Sequence, residues 1–221
     1  MAILEKTLVF LKPDAYCRKY IGAKILQEFL NNKDFEIIGF KEVEVSEQHA
    51  KEHYSELEGK SFYPGLLKFI TSAKVLAMII RGERVIQKVR DFLGATLVEK
   101  ADENCIRGKY GIYAGINLVH ASDSPDTAKR ELELWKKYVN LIPTESARID
   151  VETYIEKWIK NEINETLNLR KLCIELESNP KNKDIIELKL IETLKKECTN
   201  IEERKIKDLC SCVIENILSQ D

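Results

Sequence analysis

All nine glycines of this 221-residue chain lie at or before Gly115, its last alanine is Ala147 and its last aromatic residue is Trp158. Tight turns and close backbone approaches call for glycine, and sheets favour aromatic and β-branched side chains. Beyond about residue 149 the sequence is mostly Leu, Ile, Glu, Lys and Asn at helical spacing. Two regions follow: a mixed body over 1–149 and an all-helical extension over 150–221. Charge divides at the same place. The body holds 23 basic and 21 acidic residues and the extension 12 and 16, so the extension is the acidic part.

In the body, four segments rich in Val, Ile, Phe and Tyr predict strands: Thr7 to Leu11, Glu36 to Val45, Val75 to Arg81 and Gly111 to His120. Helical patterns fall at about 21–32, 46–57, 61–71 and 83–92. A fifth helix starts at Ser124, where Ser-Pro-Asp offers an N-cap, a proline for the first turn and an acidic residue near the positive end. The order is that of a split βαβ unit. It predicts an α+β, ferredoxin-like sandwich with helices over a four-stranded antiparallel sheet.

The extension predicts three helices. Val151 to Glu177 carries Ile155, Trp158, Ile159, Ile163, Leu167, Leu172 and Leu176 along one stripe, and Asn179-Pro180 ends it. Ile185 to Cys198 follows. Thr199-Asn200-Ile201-Glu202 then offers a capping box for a last helix. Such stripes must bury against the body, one another or another chain.

Several function classes fall away. No run of 18 apolar residues exists to form a spanning helix, and Glu5 and Lys6 interrupt an N-terminus that reads as a first strand rather than a signal peptide. Without a secretion signal, the six cysteines read as free thiols of a cytoplasmic protein; Cys210-Ser211-Cys212 alone invites a metal or redox reading. A net charge of −2 and no basic stripe argue against nucleic acid as the main partner.

Chemistry narrows to a few side chains. His49 and His53 sit four apart on a predicted exposed helix and read as solvated. His120 ends a predicted strand and enters the polar loop Ala121-Ser122-Asp123-Ser124 ahead of a helix. Unpaired backbone N–H groups at such a place welcome phosphate. Taken alone, a lone histidine is more often structural. Lys12, in Lys12-Pro13-Asp14 at the end of the first strand, suits a phosphate or ribose. With Arg90 and Arg107 it makes three cations, and Thr96 adds a hydroxyl: a complement for a Mg²⁺-bearing triphosphate, although each arginine alone reads as a surface charge.

Taken in order, these pieces resemble the nucleoside diphosphate kinase family from about Glu5 to Trp135. The matching pieces are Lys12-Pro13-Asp14, Glu52-His53-Tyr54, Phe62-Tyr63-Pro64-Gly65-Leu66, Arg90 with Gly94-Ala95-Thr96, Ile106-Arg107-Gly108, Asn117 through Ser124, and Glu131 with Leu134-Trp135. The resemblance implies a ferredoxin-like subunit and ping-pong transfer of a γ-phosphoryl group from a nucleoside triphosphate, ATP or GTP among them, to a diphosphate through phospho-His120. It implies Phe62 against the base and Lys12 and Asn117 at the ribose and the reacting phosphate. Arg90, Thr96 and Arg107 fall on the phosphates, and Tyr54, Ser122 and Glu131 around the histidine. Mg²⁺ is expected on the nucleotide phosphates rather than on protein ligands, and a homo-oligomer, a hexamer by default, is implied. Leu97-Val98-Glu99-Lys100 and Glu103-Asn104-Cys105 depart from the family pattern, and the extension has no counterpart in it. The rival reading is a catalytically idle nucleotide-binding module whose helical tail recruits a partner.

Overall fold

The computed structural model describes residues 4–219. Four strands, β1 (Leu4–Leu11), β2 (Glu36–Val43), β3 (Val75–Glu83) and β4 (Val119–Ala121), form one antiparallel sheet in the order β2-β3-β1-β4. The fold is the predicted α+β, ferredoxin-like sandwich. β1 and β3 lie at the centre, and their buried runs Thr7–Leu11 and Val75–Ile80 are nearly continuously apolar because both faces are covered.

Body helices are α1 (Pro13–Cys17), α2 (Lys19–Asn31), α3 (Glu47–His53), α4 (Tyr63–Thr71), α5 (Val85–Leu93), α6 (Ile106–Tyr110) and α7 (Pro125–Val139). α2 buries Ile21, Ile25, Leu26 and Phe29, a helical stripe worth about 1.5–3 kcal/mol per side chain. α7 starts as expected, with Ser124 Oγ accepting from Thr127 N at 3.1 Å and Pro125 in the first turn. The short α1 and α6 carry too few residues for a periodic signal and went unpredicted.

One strand was largely misread. Of Gly111 to His120, only the last two residues join the sheet; the rest is a buried irregular loop with an isolated bridge between Tyr113 and Ile116. Its residues are apolar because they are buried, not because they are extended. Non-glycine residues there take left-handed backbone at Ala114 (φ 44°) and Leu118 (φ 73°), which no strand permits.

The extension folds as four helices rather than three: α8 (Ala147–Trp158), α9 (Thr166–Ser178), α10 (Lys183–Glu197) and α11 (Glu203–Leu218). The predicted single helix over 151–177 breaks because Asn164 Oδ1 accepts from Thr166 N at 3.0 Å and from Thr166 Oγ1 at 2.6 Å, a local turn that competes with helix. The supposed continuous stripe breaks with it, leaving Ile163 and Leu167 exposed. The capping box also fails. Thr199 Oγ1 is buried without a partner among the described residues, and α11 begins at Glu203 with no side-chain cap.

α8 lies across α2 and β2, α9–α11 pack on one another, and α11 reaches α4. Buried apolar residues of body and extension form one continuous cluster. An ion pair inside it joins the two regions: Arg18 and Glu197 have fully buried side chains 2.7 Å apart. All six cysteines are free, and Cys210 and Cys212 are buried in the helical core, so neither faces solvent as a metal or redox pair would. Among the described residues no helix is long and apolar enough to cross a membrane.

Candidate active site

The exit of β1 and the entry of β4 are fastened together. Lys12 N donates to Leu118 O at 2.7 Å, and Leu118 N donates to Asp14 Oδ2 at 2.9 Å. These two bonds hold Leu118 in its left-handed conformation, which costs a non-glycine residue on the order of 1 kcal/mol. The turn sets Asn117 on one side and His120 on the other. Lys12 Nζ donates to Asn117 Oδ1 at 2.8 Å, and Asn117 Nδ2 to Thr96 O at 2.6 Å. Lys12, Asn117 and the Thr96 loop are thus joined. Burial pulls the Lys12 ammonium down to about 8, with Asp14 opposing the shift and Arg107 adding to it. Burial pushes the Asp14 carboxyl up.

His120 pairs with Phe10 across β1 and β4 and stacks on its ring, centroids 4.7 Å apart. Its Nε2 lies 3.1 and 3.0 Å from the two oxygens of Glu131, and Ser122 Oγ donates to Glu131 Oε2 at 2.7 Å. The Glu131 side chain is 3% exposed and that of His120 17%, so the carboxylate is sealed in while the imidazole reaches solvent. A neutral imidazole bonded to a carboxylate carries its proton on that nitrogen, leaving the lone pair on Nδ1.

Arg107 closes the site from α6. Its Nη1 donates to Gly94 O at 2.7 Å and its Nη2 to Val119 O at 2.8 Å, next to His120. Burial, then the charge of Arg90, lowers it to about 10. Arg90 is exposed on α5, and Thr96 is exposed beyond it. Tyr54 presents its ring edge-on to His120 at 6.0 Å; burial, then Glu131, pushes its phenol up. Phe62 stands at the start of α4, 49% exposed, and no ring packs against it among the described residues. The fold therefore gathers His120, Glu131, Ser122 and Tyr54 into one group and Lys12, Asn117, Thr96, Arg107 and Arg90 into an adjoining one.

His53 and Trp135 were seen in the sequence without a role, and His49 and His53 are buried rather than solvated. Phe10, His53 and His120 form an aromatic group with Trp135, and His49 stacks on Tyr138. The legible signals were the short supply of histidines and the pieces Glu52-His53-Tyr54 and Leu134-Trp135. His53, His120 and Glu131 offer ligand atoms within 4.8 Å of one another, the spacing of a metal centre. The tautomers do not fit one. Trp135 Nε1 donates to His53 Nδ1 at 3.3 Å, so His53 carries its proton on Nε2, and Glu131 holds the proton of His120 on its Nε2 as well. The adjoining cationic wall of Lys12, Arg90 and Arg107 repels a free metal ion and complements anionic groups such as phosphates instead.

A buried carboxylate–histidine pair beside a cationic wall, on a ferredoxin-like sheet, is the framework of a phosphotransferase. The family model for "Nucleoside diphosphate kinase" matches residues 5–140. The Methanococcus maripaludis nucleoside diphosphate kinase is 42% identical over 132 residues, covering 60% of this chain and 98% of that one. That of Carboxydothermus hydrogenoformans is 39% identical over 156 residues, covering 71% and 99%. Among solved structures, the Halobacterium salinarum nucleoside diphosphate kinase in complex with CDP superimposes with a TM-score of 0.58 at 36% identity, covering 68% of this chain and 97% of that one. The Borrelia burgdorferi enzyme with bound vanadate and ADP, a transition-state mimic, gives 0.58 at 28% identity, covering 64% and 92%. This chain belongs to the nucleoside diphosphate kinase family, enzymes that transfer phosphoryl groups between nucleotides, a chemistry that uses a divalent metal.

Proposed function

We propose that the chain moves the γ-phosphoryl group of a nucleoside triphosphate to a nucleoside diphosphate by ping-pong transfer through Nδ1 of His120. The observation that carries this reading is the bond from His120 Nε2 to Glu131, which leaves Nδ1 as the nitrogen with a lone pair. In the first half-reaction Nδ1 attacks the γ-phosphorus, the bond to the β-phosphate oxygen breaks, and the diphosphate leaves. The ring becomes a phosphoimidazolium whose positive charge Glu131 balances, with Ser122 steadying the carboxylate. In the second, a β-phosphate oxygen of another diphosphate attacks phosphorus and the P–N bond breaks.

Lys12 and Asn117 serve the ribose and the reacting phosphate end, and Arg90, Thr96 and Arg107 the other phosphates. Mg²⁺ arrives with the nucleotide. Tyr54 walls the histidine. Phe62 is exposed as a stacking platform must be before a base arrives, and stacking tolerates any base, which gives broad nucleotide choice. Residues 1–149 form the catalytic unit and 150–221 an accessory one, in a cytoplasmic homo-oligomer with the hexamer as the default assembly.

The test is a phosphoenzyme assay. Protein mixed with γ-labelled ATP becomes labelled, and any nucleoside diphosphate chases the label off. His120→Ala abolishes labelling and turnover while still binding nucleotide; normal turnover in that variant would sink the assignment.

A further inference from the structure

The loop from Arg107 to Asn117 joins two residues of the proposed nucleotide site, and the C-terminal extension grips it at three points. Arg170 of α9 donates from Nε to Gly111 O at 2.8 Å and from Nη2 to Gly108 O at 2.8 Å and Arg107 O at 3.2 Å. Asn216 of α11 accepts from Gly115 N at 3.2 Å. Arg18, held by Glu197 of α10 and Thr166 of α9, donates to Tyr110 O at 2.7 Å.

α6 has five residues, too few to sustain a helix unaided. Its last carbonyls form the negative end of the helix, and a guanidinium fork that meets three carbonyls in and just after it fixes the turn more firmly than water does. On the opposite side of that turn, the Arg107 side chain ties Gly94, at the end of the helix bearing Arg90, to Val119, the neighbour of His120. A shift of α6 therefore moves Arg107 against both.

We propose that Arg170 is a positioning residue for Arg107, through which the C-terminal extension sets nucleotide affinity and the rate of phosphoryl transfer. The proposal rests on the reading of Arg107 as a phosphate ligand. Arg170→Met keeps the apolar stem and removes the donors. It lowers kcat/KM by roughly 10- to 100-fold, the effect of a displaced phosphate ligand, and weakens ADP binding in calorimetry, both read well below its melting transition. Arg170→Lys, which keeps the charge without the fork, falls between wild type and Arg170→Met and serves if Arg170→Met does not fold. Lys195→Ala, which breaks an exposed ion pair with Glu203 on the same extension, leaves kinetics unchanged.

A double-mutant cycle separates positioning from general support. In an Arg107→Ala background, Arg170→Met causes little further loss, because the residue it positions is gone. Unchanged kcat/KM and ADP affinity in Arg170→Met, or losses that simply add in the double variant, would overturn the proposal. A wild-type chain that accepts no label would defeat the phosphohistidine reading instead, while ADP affinity still reports on Arg170.

Discussion

Glu131 places both carboxylate oxygens at 3.0–3.1 Å from Nε2 of His120, and its own side chain is the more buried of the two. The carboxylate accepts the Nε2 proton, and that bond assigns the ring its tautomer. Glu131→Gln substitutes an amide that can donate to Nε2 and move the proton to Nδ1, where it blocks attack. Phosphoenzyme formation in this variant is expected to slow by about 10²-fold or more, measured by rapid quench. ¹⁵N-resolved NMR of the wild-type phosphoenzyme is expected to show phosphorus on Nδ1; phosphorus on Nε2 contradicts the geometry.

Lys12 supplies the pH dependence. Burial lowers its pKa to about 8, against 10.5 for an exposed lysine. In the proposed role the charged form holds phosphate, so nucleotide affinity is expected to fall as pH rises above about 8. Binding above that pH draws in a proton, which appears as buffer-dependent heat in calorimetry. Stability moves the other way. The folded state sheds this proton before the unfolded chain does, so the Lys12 contribution rises with pH between about 8 and 10.5. Lys12→Ala is expected to lose at least about 10²-fold in transfer rate and to abolish both effects.

The buried Arg18–Glu197 pair invites a second-site test. Arg18→Met leaves the Glu197 carboxylate uncompensated in the core and is expected to cost about 3–5 kcal/mol in urea unfolding. Arg18→Met with Glu197→Met is expected to recover most of that loss, because no buried charge is stranded. A double variant as unstable as the single one shows that the hydrogen bonds to Thr166 and Tyr110 carry the stability instead.

Thiol reactivity follows burial. Cys17, Cys173, Cys210 and Cys212 are pushed up to about 12 by burial, and Cys198 is pushed up as well. Cys105, at the start of α6, is the partly exposed one. Iodoacetamide at pH 8 is expected to add one group per folded chain, at Cys105, as read by peptide mass spectrometry. Rapid labelling of Cys210 or Cys212 signals an extension that opens away from the body.

The sequence alone determined three of the four strands and the helical extension, and it singled out His120 as the candidate nucleophile. Their signals are local: alternating and continuous apolar runs for the strands, the disappearance of glycine for the extension, and an ordered set of short motifs around His120. The tertiary structure decided what depends on distant residues meeting. Burial turned Gly111–Leu118 into an irregular loop, since an apolar run shows that residues are covered but not what shape they take. Asn164 broke a helix whose stripe looked continuous, because a side-chain bond to the backbone of Thr166, two residues on, leaves no periodic trace. The tautomer of His120 was undecidable until Glu131, 11 residues on, came round to its Nε2. Arg170 stands 63 residues from Arg107, whose backbone carbonyl it holds. Contacts across such separations are set by how layers pack, which no window along the chain records.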